Sequence, residues 1–216
     1  MRWNKLKSSL KRSFARPLPG HTAQERLSPR PRVGWQPGHV PEDARNGAAV
    51  LLLFPDADDQ ARLILTLREA SLSHHAGQVS LPGGAADPGE SLFDTALREA
   101  HEEVGVTPGE VRVLGELTPL FIPVSGFALH PFVALCERRP DLVPDPREVA
   151  RILEVPLRAL MDSQNVRIAQ REFRGRSYGV PYIGVKGERV WGATAMILAE
   201  FLALLGHHPD PWNENT

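Results

Sequence analysis

The feature that most constrains this chain is a helical segment whose glutamates are spaced so that they repel one another. Glu99, Glu102 and Glu103 lie three and four residues apart, so a helix would place all three on one face. They would also lie near the C-terminal end of that helix, where the helix dipole favours cations. Carboxylate oxygens are ligands that Mg²⁺ and Mn²⁺ prefer. The pattern therefore predicts a divalent metal site formed by these glutamates, to which the carbonyl oxygen of Gly83 could be added.

The residues around these glutamates predict where the helix begins and ends. Ser91 and Asp94 have the spacing of a capping box, so we expect the helix to begin at about Leu92. Gly105 stands where a left-handed residue commonly ends a helix. The apolar residues on the other side of the helix predict a buried stripe, which comprises Phe93, Ala96, Leu97, Ala100 and Val104.

Charge is nearly balanced over the whole chain but is unevenly distributed. The formal net charge is −1 over 216 residues, so nucleic acid is not expected as a partner. Residues 1–46 nevertheless carry ten Lys and Arg against three Asp and Glu, a net charge of +7, and they include six prolines. All six lie within residues 16–46, and prolines at this density disfavour regular structure there. We interpret residues 1–46 as a basic, Pro-rich arm and residues 47–216 as one compact domain.

The first residues of the chain have a helical apolar pattern. Trp3, Leu6, Leu10 and Phe14 recur at helical spacing with Lys and Arg between them. We favour a helix packed on its own domain or a flexible tail over a mitochondrial presequence or a membrane-surface helix. Cys136 is the single cysteine, which excludes an intrachain disulfide and favours a reducing compartment. No apolar run is long enough to span a bilayer, so we expect a cytoplasmic protein without a membrane partner.

Apolar, β-rich runs predict a sheet protein of the α/β class. Eight strands are predicted, at residues 48–54, 63–67, 78–81, 111–117, 127–136, 150–155, 166–173 and 180–185. Pro82, Gly83 and Gly84 predict a tight turn, and residues 191–205 predict a second long helix that ends at Gly206. Strands in this number with two principal helices indicate a mixed sheet between helices.

Residues 84–106 carry a resemblance to a known family. They read GAADPGESLFDTALREAHEEVGV, which resembles the Nudix box G-x5-E-x7-R-E-U-x-E-E-x-G-U, where U is apolar. The matching positions are Gly84, Glu90, Arg98, Glu99, Ala100, Glu102, Glu103, Gly105 and Val106. The resemblance implies the Nudix fold, an α/β/α sandwich with a mixed β-sheet, and hydrolysis of a nucleoside diphosphate linked to another group.

The resemblance also implies roles for individual residues. Glu99, Glu102 and Glu103 would be the metal ligands, and Glu99 would also orient or deprotonate the attacking water. Arg98 would hold Glu99 through a charge-assisted hydrogen bond, so that Glu99, Arg98 and Glu103 form the implied catalytic set. Glu90 would be a peripheral carboxylate. Three residues outside the box could supply a further base or ligand, namely His130, Glu148 and Glu154.

The segment before the box resembles the extra signature of the coenzyme A (CoA) pyrophosphatase branch of this family. Residues 65–84 read LTLREASLSHHAGQVSLPGG, against a pattern of L-L-T-x-R followed by H-x-G-Q-V-x-F-P-G-G. Leu81 and Ile64 depart from this pattern but remain apolar. The implied substrate-binding residues are Arg68, His74, His75, Gly77 and Gln78. CoA carries a 3′-phosphate and a diphosphate, and arginine suits phosphate well. The alternative is that both histidines are loop residues and Arg68 is a surface ion-pair partner.

These resemblances predict a metal-dependent enzyme that hydrolyses the diphosphate of CoA or an acyl-CoA. Its products would be adenosine 3′,5′-bisphosphate and 4′-phosphopantetheine, its cofactor Mg²⁺ or Mn²⁺, and its edge strands or terminal helix could form a homodimer. One alternative is a Nudix hydrolase of ADP-ribose, NADH or another dinucleotide. The other is a Nudix-fold binding module that senses a nucleotide or uses its basic arm to contact nucleic acid, although such a module would not need three repelling glutamates.

Overall fold

A computed structural model of the chain describes residues 1–32, 36–72, 76–173 and 175–212. Its helices are α1 (Trp3–Ser13), α2 (Gly20–Gln24), α3 (Leu92–Val104), α4 (Leu157–Leu160) and α5 (Gly192–Leu204). Its strands are β1 (Arg45–Pro55), β2 (Ala61–Arg68), β3 (Val79–Ser80), β4 (Gly83–Ala85), β5 (Val111–Glu116), β6 (Leu120–Ile122), β7 (Phe127–Cys136), β8 (Val149–Pro156), β9 (Val166–Phe173), β10 (Arg176–Val185) and β11 (Glu188–Trp191).

The main sheet is mixed, as the sequence predicts. Its strand order is β3-β2-β1-β7-β5, while β8 pairs with β2, β4 with β1, and β6 with β7. Strands β1 and β7 run parallel over nine residue pairs. The other neighbours in this sheet are antiparallel. Strand β1 therefore lies at the centre, where both of its faces can be covered.

Alternate side chains of β1 enter two separate cores. Ala48, Val50, Leu52 and Phe54 pack beneath α3, because successive side chains of a strand point to opposite faces. Ala49, Leu51 and Leu53 lie on the other face, in the core that contains most of α5. Helix α5 is apolar on nearly all sides, and ten of its thirteen residues are buried. The prediction of an α/β class fold with a mixed sheet between helices is confirmed.

A second sheet of three strands extends the α5 side of the molecule. Its order is β11-β10-β9, and both pairs of neighbours are antiparallel. Ile183, Val185 and Val190 insert from its inner face into the same core as α5. The outer face of this sheet consequently points away from that core.

The two helices before β1 pack onto the domain. Trp3, Leu6 and Leu10 of α1 are buried in the α5-side core, so α1 is an amphipathic helix packed on its own domain. The expectation that residues 16–46 lack regular structure is wrong at residues 20–27, where α2 is followed by a short 3₁₀ helix. Local proline content does not reveal this, since α2 is stabilised by contacts with α5, which is distant in sequence. Within the described ranges, no helix has the length and apolarity needed to cross a membrane.

Two local predictions near α3 are wrong. Gly83 and Gly84 do not form a tight turn but belong to β4, which pairs with Ala48 and Ala49 of β1. Strand pairing is close here, because a Cβ atom on Gly83 would lie 2.4 Å from the Ala48 carbonyl oxygen. Phe93 is not buried: it is 41% exposed and packs edge-on against another aromatic ring, with 6.2 Å between centroids.

Candidate active site

Helix α3 begins and ends where its sequence predicts. Ser91 is the N-cap, and its hydroxyl accepts a hydrogen bond from the Asp94 amide at 3.1 Å. Gly105 caps the other end in the left-handed conformation, with φ of 75°. These two capping residues fix where α3 begins and ends. The charged site residues Arg98, Glu99, Glu102 and Glu103 consequently lie on the side of the helix that faces β4 or solvent.

Arg98 is the centre of a carboxylate network on this helix. Its Nε and Nη2 atoms donate to the two oxygens of Glu90 at 2.9 and 3.1 Å, a bidentate pair. Its Nη1 atom donates to Glu99 at 2.9 Å and to Glu102 at 3.1 Å, and Nη2 also reaches the Ala85 carbonyl oxygen at 3.1 Å. Hydrogen bonds from Arg98, and secondarily from the Thr95 hydroxyl, lower the pKa of Glu90 to about 2. Glu90 thus anchors the arginine that orients Glu99.

The carboxylate of Glu99 occupies space that only a glycine leaves open. A Cβ atom built on Gly84 would lie 2.4 Å from the Glu99 carboxyl carbon. Burial raises the pKa of Glu99 above its ordinary value, and the adjacent Arg98 opposes that rise. Strand β4 and helix α3 therefore hold a partly desolvated carboxylate against a bare stretch of backbone.

Glu103 is more deeply buried and is weakly satisfied. It is 2% exposed. One of its oxygens accepts from Arg68 Nη1 at 3.3 Å and the other from the Gly83 amide at 3.4 Å, both long hydrogen bonds. Burial raises the pKa of Glu103 to about 8, although Arg68 acts in the opposite direction. A carboxylate in this position would gain strongly from a nearby cation.

The structure describes three of the five residues predicted to bind substrate, namely Arg68, Gly77 and Gln78. Arg68 lies beside two glutamates, Glu103 at 3.3 Å and Glu148 at 3.8 Å, rather than on open surface. The Gly77 amide donates to the Arg68 carbonyl oxygen at 3.2 Å, and the Arg68 amide donates to that of Gln78 at 3.0 Å, which closes the loop between β2 and β3. His74 and His75 lie outside the described residues.

Of the three further candidates outside the box, the structure brings Glu148 to the site. Its charge contributes to the raised pKa of both Glu99 and Glu103. A shift in the β2–β8 register, between Leu67 and Arg68, lies next to it, and such irregularities redirect side chains beside functional sites. The other two are engaged elsewhere: His130 Nδ1 lies 2.6 Å from a Glu116 oxygen, and Glu154 receives two hydrogen bonds from an arginine of a surface loop.

The donor set fits a hard divalent cation, although the ligands are not fully converged. Across the described ranges, no three His, Cys, Asp or Glu side chains form a ready metal cluster. Glu99 and Glu103 face β4, whereas Glu102 is 55% exposed and turned toward Arg98. An exposed glutamate can change rotamer at little cost, since a solvent-exposed ion pair contributes little stability. A set of donors made only of oxygen atoms suits Mg²⁺ or Mn²⁺.

Comparison with known proteins assigns the chain to a family. The NUDIX domain family model matches residues 44–174, which is more than half of the chain. The chain therefore belongs to the Nudix family, and the resemblance of residues 84–106 to the Nudix box is confirmed.

The relatives narrow this assignment to one type of Nudix hydrolase. An uncharacterized Nudix hydrolase NudL of Photorhabdus laumondii is 37% identical over 75% of this chain and 86% of its own length. The NudL protein of Pectobacterium atrosepticum is 42% identical over 68% and 77%, respectively. A solved Nudix hydrolase of Mycobacterium smegmatis, RenU, shares 27% identity over 52% of this chain and 71% of that chain, with a TM-score of 0.46. The chain is a Nudix hydrolase of the NudL type, a class that acts on nucleoside diphosphate compounds and generally requires a divalent metal.

Proposed function

We propose that this protein hydrolyses the diphosphate bond of CoA or an acyl-CoA, giving adenosine 3′,5′-bisphosphate and a 4′-phosphopantetheine product. The observation that carries the proposal is the position of three residues that fit the CoA pyrophosphatase signature, namely Arg68, Gly83 and Gly84. Arg68 and Gly83 donate hydrogen bonds to Glu103, and Gly84 lies against Glu99. Their contact with the box glutamates supports a substrate site beside the metal site.

In the proposed reaction water attacks one phosphorus of the diphosphate, and the bond from that phosphorus to the bridging oxygen breaks. Glu99, Glu102 and Glu103 would hold Mg²⁺ or Mn²⁺, which when bound polarises a phosphoryl oxygen and lowers the pKa of water. Glu99 would orient the water or accept its proton, a role that suits a carboxylate whose pKa is raised by burial. Arg98 would keep Glu99 in place, with Glu90 fixing the far side of its guanidinium.

Product analysis would test the substrate. The purified protein would be incubated with Mn²⁺ and, separately, CoA, dephospho-CoA, ADP-ribose and NADH, and the products would be separated chromatographically. We expect CoA to have the highest kcat/KM and dephospho-CoA a clearly lower one, because the latter lacks the 3′-phosphate. Equal rates for those two, with faster turnover of ADP-ribose, would reject CoA in favour of a dinucleotide substrate.

Arg68 has two possible partners in such a reaction, and one variant separates them. If Arg68 contacts a substrate phosphate, Arg68→Gln should raise KM for CoA about tenfold or more while the affinity for Mn²⁺ stays unchanged. If Arg68 acts chiefly on Glu103, the same substitution should alter Mn²⁺ affinity and leave KM nearly constant. Steady-state kinetics and electron paramagnetic resonance titration of Mn²⁺ would give both quantities.

A further inference from the structure

The outer face of the second sheet is rich in arginine. Residues that pair directly in an antiparallel ladder point to the same side, and Ile183, Val185 and Val190 define the inner side by entering the core. The opposite side carries four exposed arginines, which are Arg167, Arg171, Arg176 and Arg189. We call this surface the arginine face.

Carboxylates are absent from the arginine face. The acidic residues of these three strands are Glu172 and Glu188, and both pair with residues of the inner side, Ser177 and Val185. No ion pair involves any of the four arginines within the ranges that the structure describes. The surface therefore has four positive charges that the protein itself does not neutralise.

Aromatic rings lie between these arginines. Tyr178, Tyr182 and Trp191 belong to the same side, and all three are partly exposed. The Arg171 guanidinium lies 4.2 Å from the centroid of the Trp191 ring, so it crosses the middle strand. The Arg189 guanidinium lies 4.9 Å from the ring of Tyr182. Stacking of this kind holds the planar guanidinium groups in a defined orientation.

The dimensions of the arginine face suit an extended ligand. Side chains on one side of a strand repeat about every 7 Å, and three strands span about 10 Å. From Arg167 to Phe173, β9 rises about 20 Å, so the surface is about twice as long as it is wide. Small molecules are usually bound in concave pockets rather than along a strip of this length. Single-stranded nucleic acid is commonly bound on such surfaces, with bases stacked on aromatic rings or guanidinium planes and phosphates on cations.

We propose that the arginine face binds single-stranded nucleic acid through base stacking on its aromatic and guanidinium groups and phosphate contacts with its arginines. The net charge of −1 conceals this surface, because acidic residues elsewhere balance its four cations. The arginine face shares no residue with the carboxylate site of α3, and the proposal does not depend on which diphosphate the enzyme hydrolyses.

Fluorescence anisotropy with labelled 12-nucleotide RNA and DNA single strands tests this directly. We expect wild-type protein to bind at about 50 mM salt and to weaken steeply by 200 mM, since each phosphate contact releases counterions. The double variant Arg167→Gln/Arg176→Gln should bind at least tenfold more weakly, and its salt slope should be smaller by about 1.4, the value for two lost contacts to a single strand. Tyr178→Leu should bind at least about fivefold more weakly with an unchanged salt slope.

Lys11→Gln/Arg12→Gln is the matched control, because it removes two exposed charges from α1 that make no ion pair within the described ranges. It should bind like the wild type. Every variant should keep its circular dichroism spectrum and its diphosphate hydrolysis rate. Absence of binding at 50 mM salt would overturn the proposal. So would an equal loss in the α1 control, or a dimer in light scattering that the Arg167/Arg176 variant alone converts to monomer.

Discussion

Two buried glutamates, on two helices of equal length, differ in the hydrogen bonds that their carboxylates accept. Glu103 of α3 is 2% exposed and Glu200 of α5 is fully buried. Glu200 accepts hydrogen bonds from the Gly20 amide at 3.2 Å, the Gln24 side chain at 2.8 Å, and both the amide and the hydroxyl of Thr118 at 3.2 and 2.7 Å. Glu103 has only the two long contacts to Arg68 and Gly83 among the described residues.

The difference separates a structural carboxylate from one suited to a ligand. A buried charge is tolerated when polar groups of the protein surround it, and Glu200 is surrounded in this way by donors from α2 and the β5–β6 loop. Glu103 is desolvated without equal compensation, so it retains the capacity to bind a cation. By burial alone, Glu200 would be the stronger candidate for a ligand-binding carboxylate. The number and the length of the hydrogen bonds that each carboxylate accepts make Glu103 the stronger candidate.

The largest expected effect comes from Glu103→Gln. This substitution keeps the shape of the side chain but removes a charge needed to hold the metal, so kcat/KM should fall at least a thousandfold, about 4 kcal/mol of transition-state stabilisation. Circular dichroism should show an unchanged fold. Glu200→Gln is the matched control and should retain the wild-type kcat per folded molecule. Retention of hydrolysis in Glu103→Gln would contradict the proposed metal role. If the wild-type protein turned over no substrate and Glu103→Gln still bound nucleotide, a binding module would be favoured.

The second test uses pH in the absence of metal. The folded protein holds the Glu103 pKa at about 8, against 4.5 for an ordinary glutamate. Between these values the unfolded chain releases a proton that the folded protein keeps, so the free energy of unfolding should decrease as pH rises from about 4.5 to 8. The expected decrease is a few kcal/mol, at about 1.4 kcal/mol per pKa unit. Urea unfolding in a chelating buffer at pH 5 and pH 8 would measure it.

The control for this pH effect is the same glutamine variant. Without a titrating group at position 103, the decrease between pH 5 and pH 8 should become much smaller. Saturating Mn²⁺ should also raise the free energy of unfolding of the wild-type protein at pH 8, because the metal favours the deprotonated carboxylate. An identical pH dependence in both proteins would mean that other groups cause the destabilisation.

Glu200→Gln should affect stability rather than chemistry. In either orientation the amide nitrogen introduced by glutamine would face a donor, the Gly20 amide or the Gln24 side-chain nitrogen, so at least one donor would lose its acceptor. The free energy of unfolding should fall by about 2 kcal/mol, the scale of a buried hydrogen-bonding group left unsatisfied. Denaturant titration of the variant against wild type would measure this loss. A stability loss below the error of that measurement would show that Glu200 is less important to the packing of α2 than its hydrogen bonds indicate.

The sequence alone predicted those features of α3 that depend on residues close together in the chain. Capping residues at Ser91 and Gly105 set the ends of α3, and helical spacing placed the glutamates together. The partners of Glu200 lie 82, 176 and 180 residues away, and Arg68 lies 35 residues from Glu103. Such contacts arise only after the strands pair, so no local pattern reveals them. The roles assigned to the box residues stay predictions, which the variants described here would test.

The smallest expected effect concerns the space beside Glu99. Gly84→Ala would place a methyl group 2.4 Å from the Glu99 carboxyl carbon, and the flexible end of the glutamate should move away. We therefore expect about a tenfold loss of kcat/KM, because a misplaced group beside the reacting atoms reduces the rate, with less than about 1 kcal/mol change in stability. Gly109→Ala is the control, since no atom lies within 4 Å of its added methyl group. If Gly84→Ala lost stability but not activity, this glycine would serve the pairing of β4 with β1 rather than the placement of Glu99.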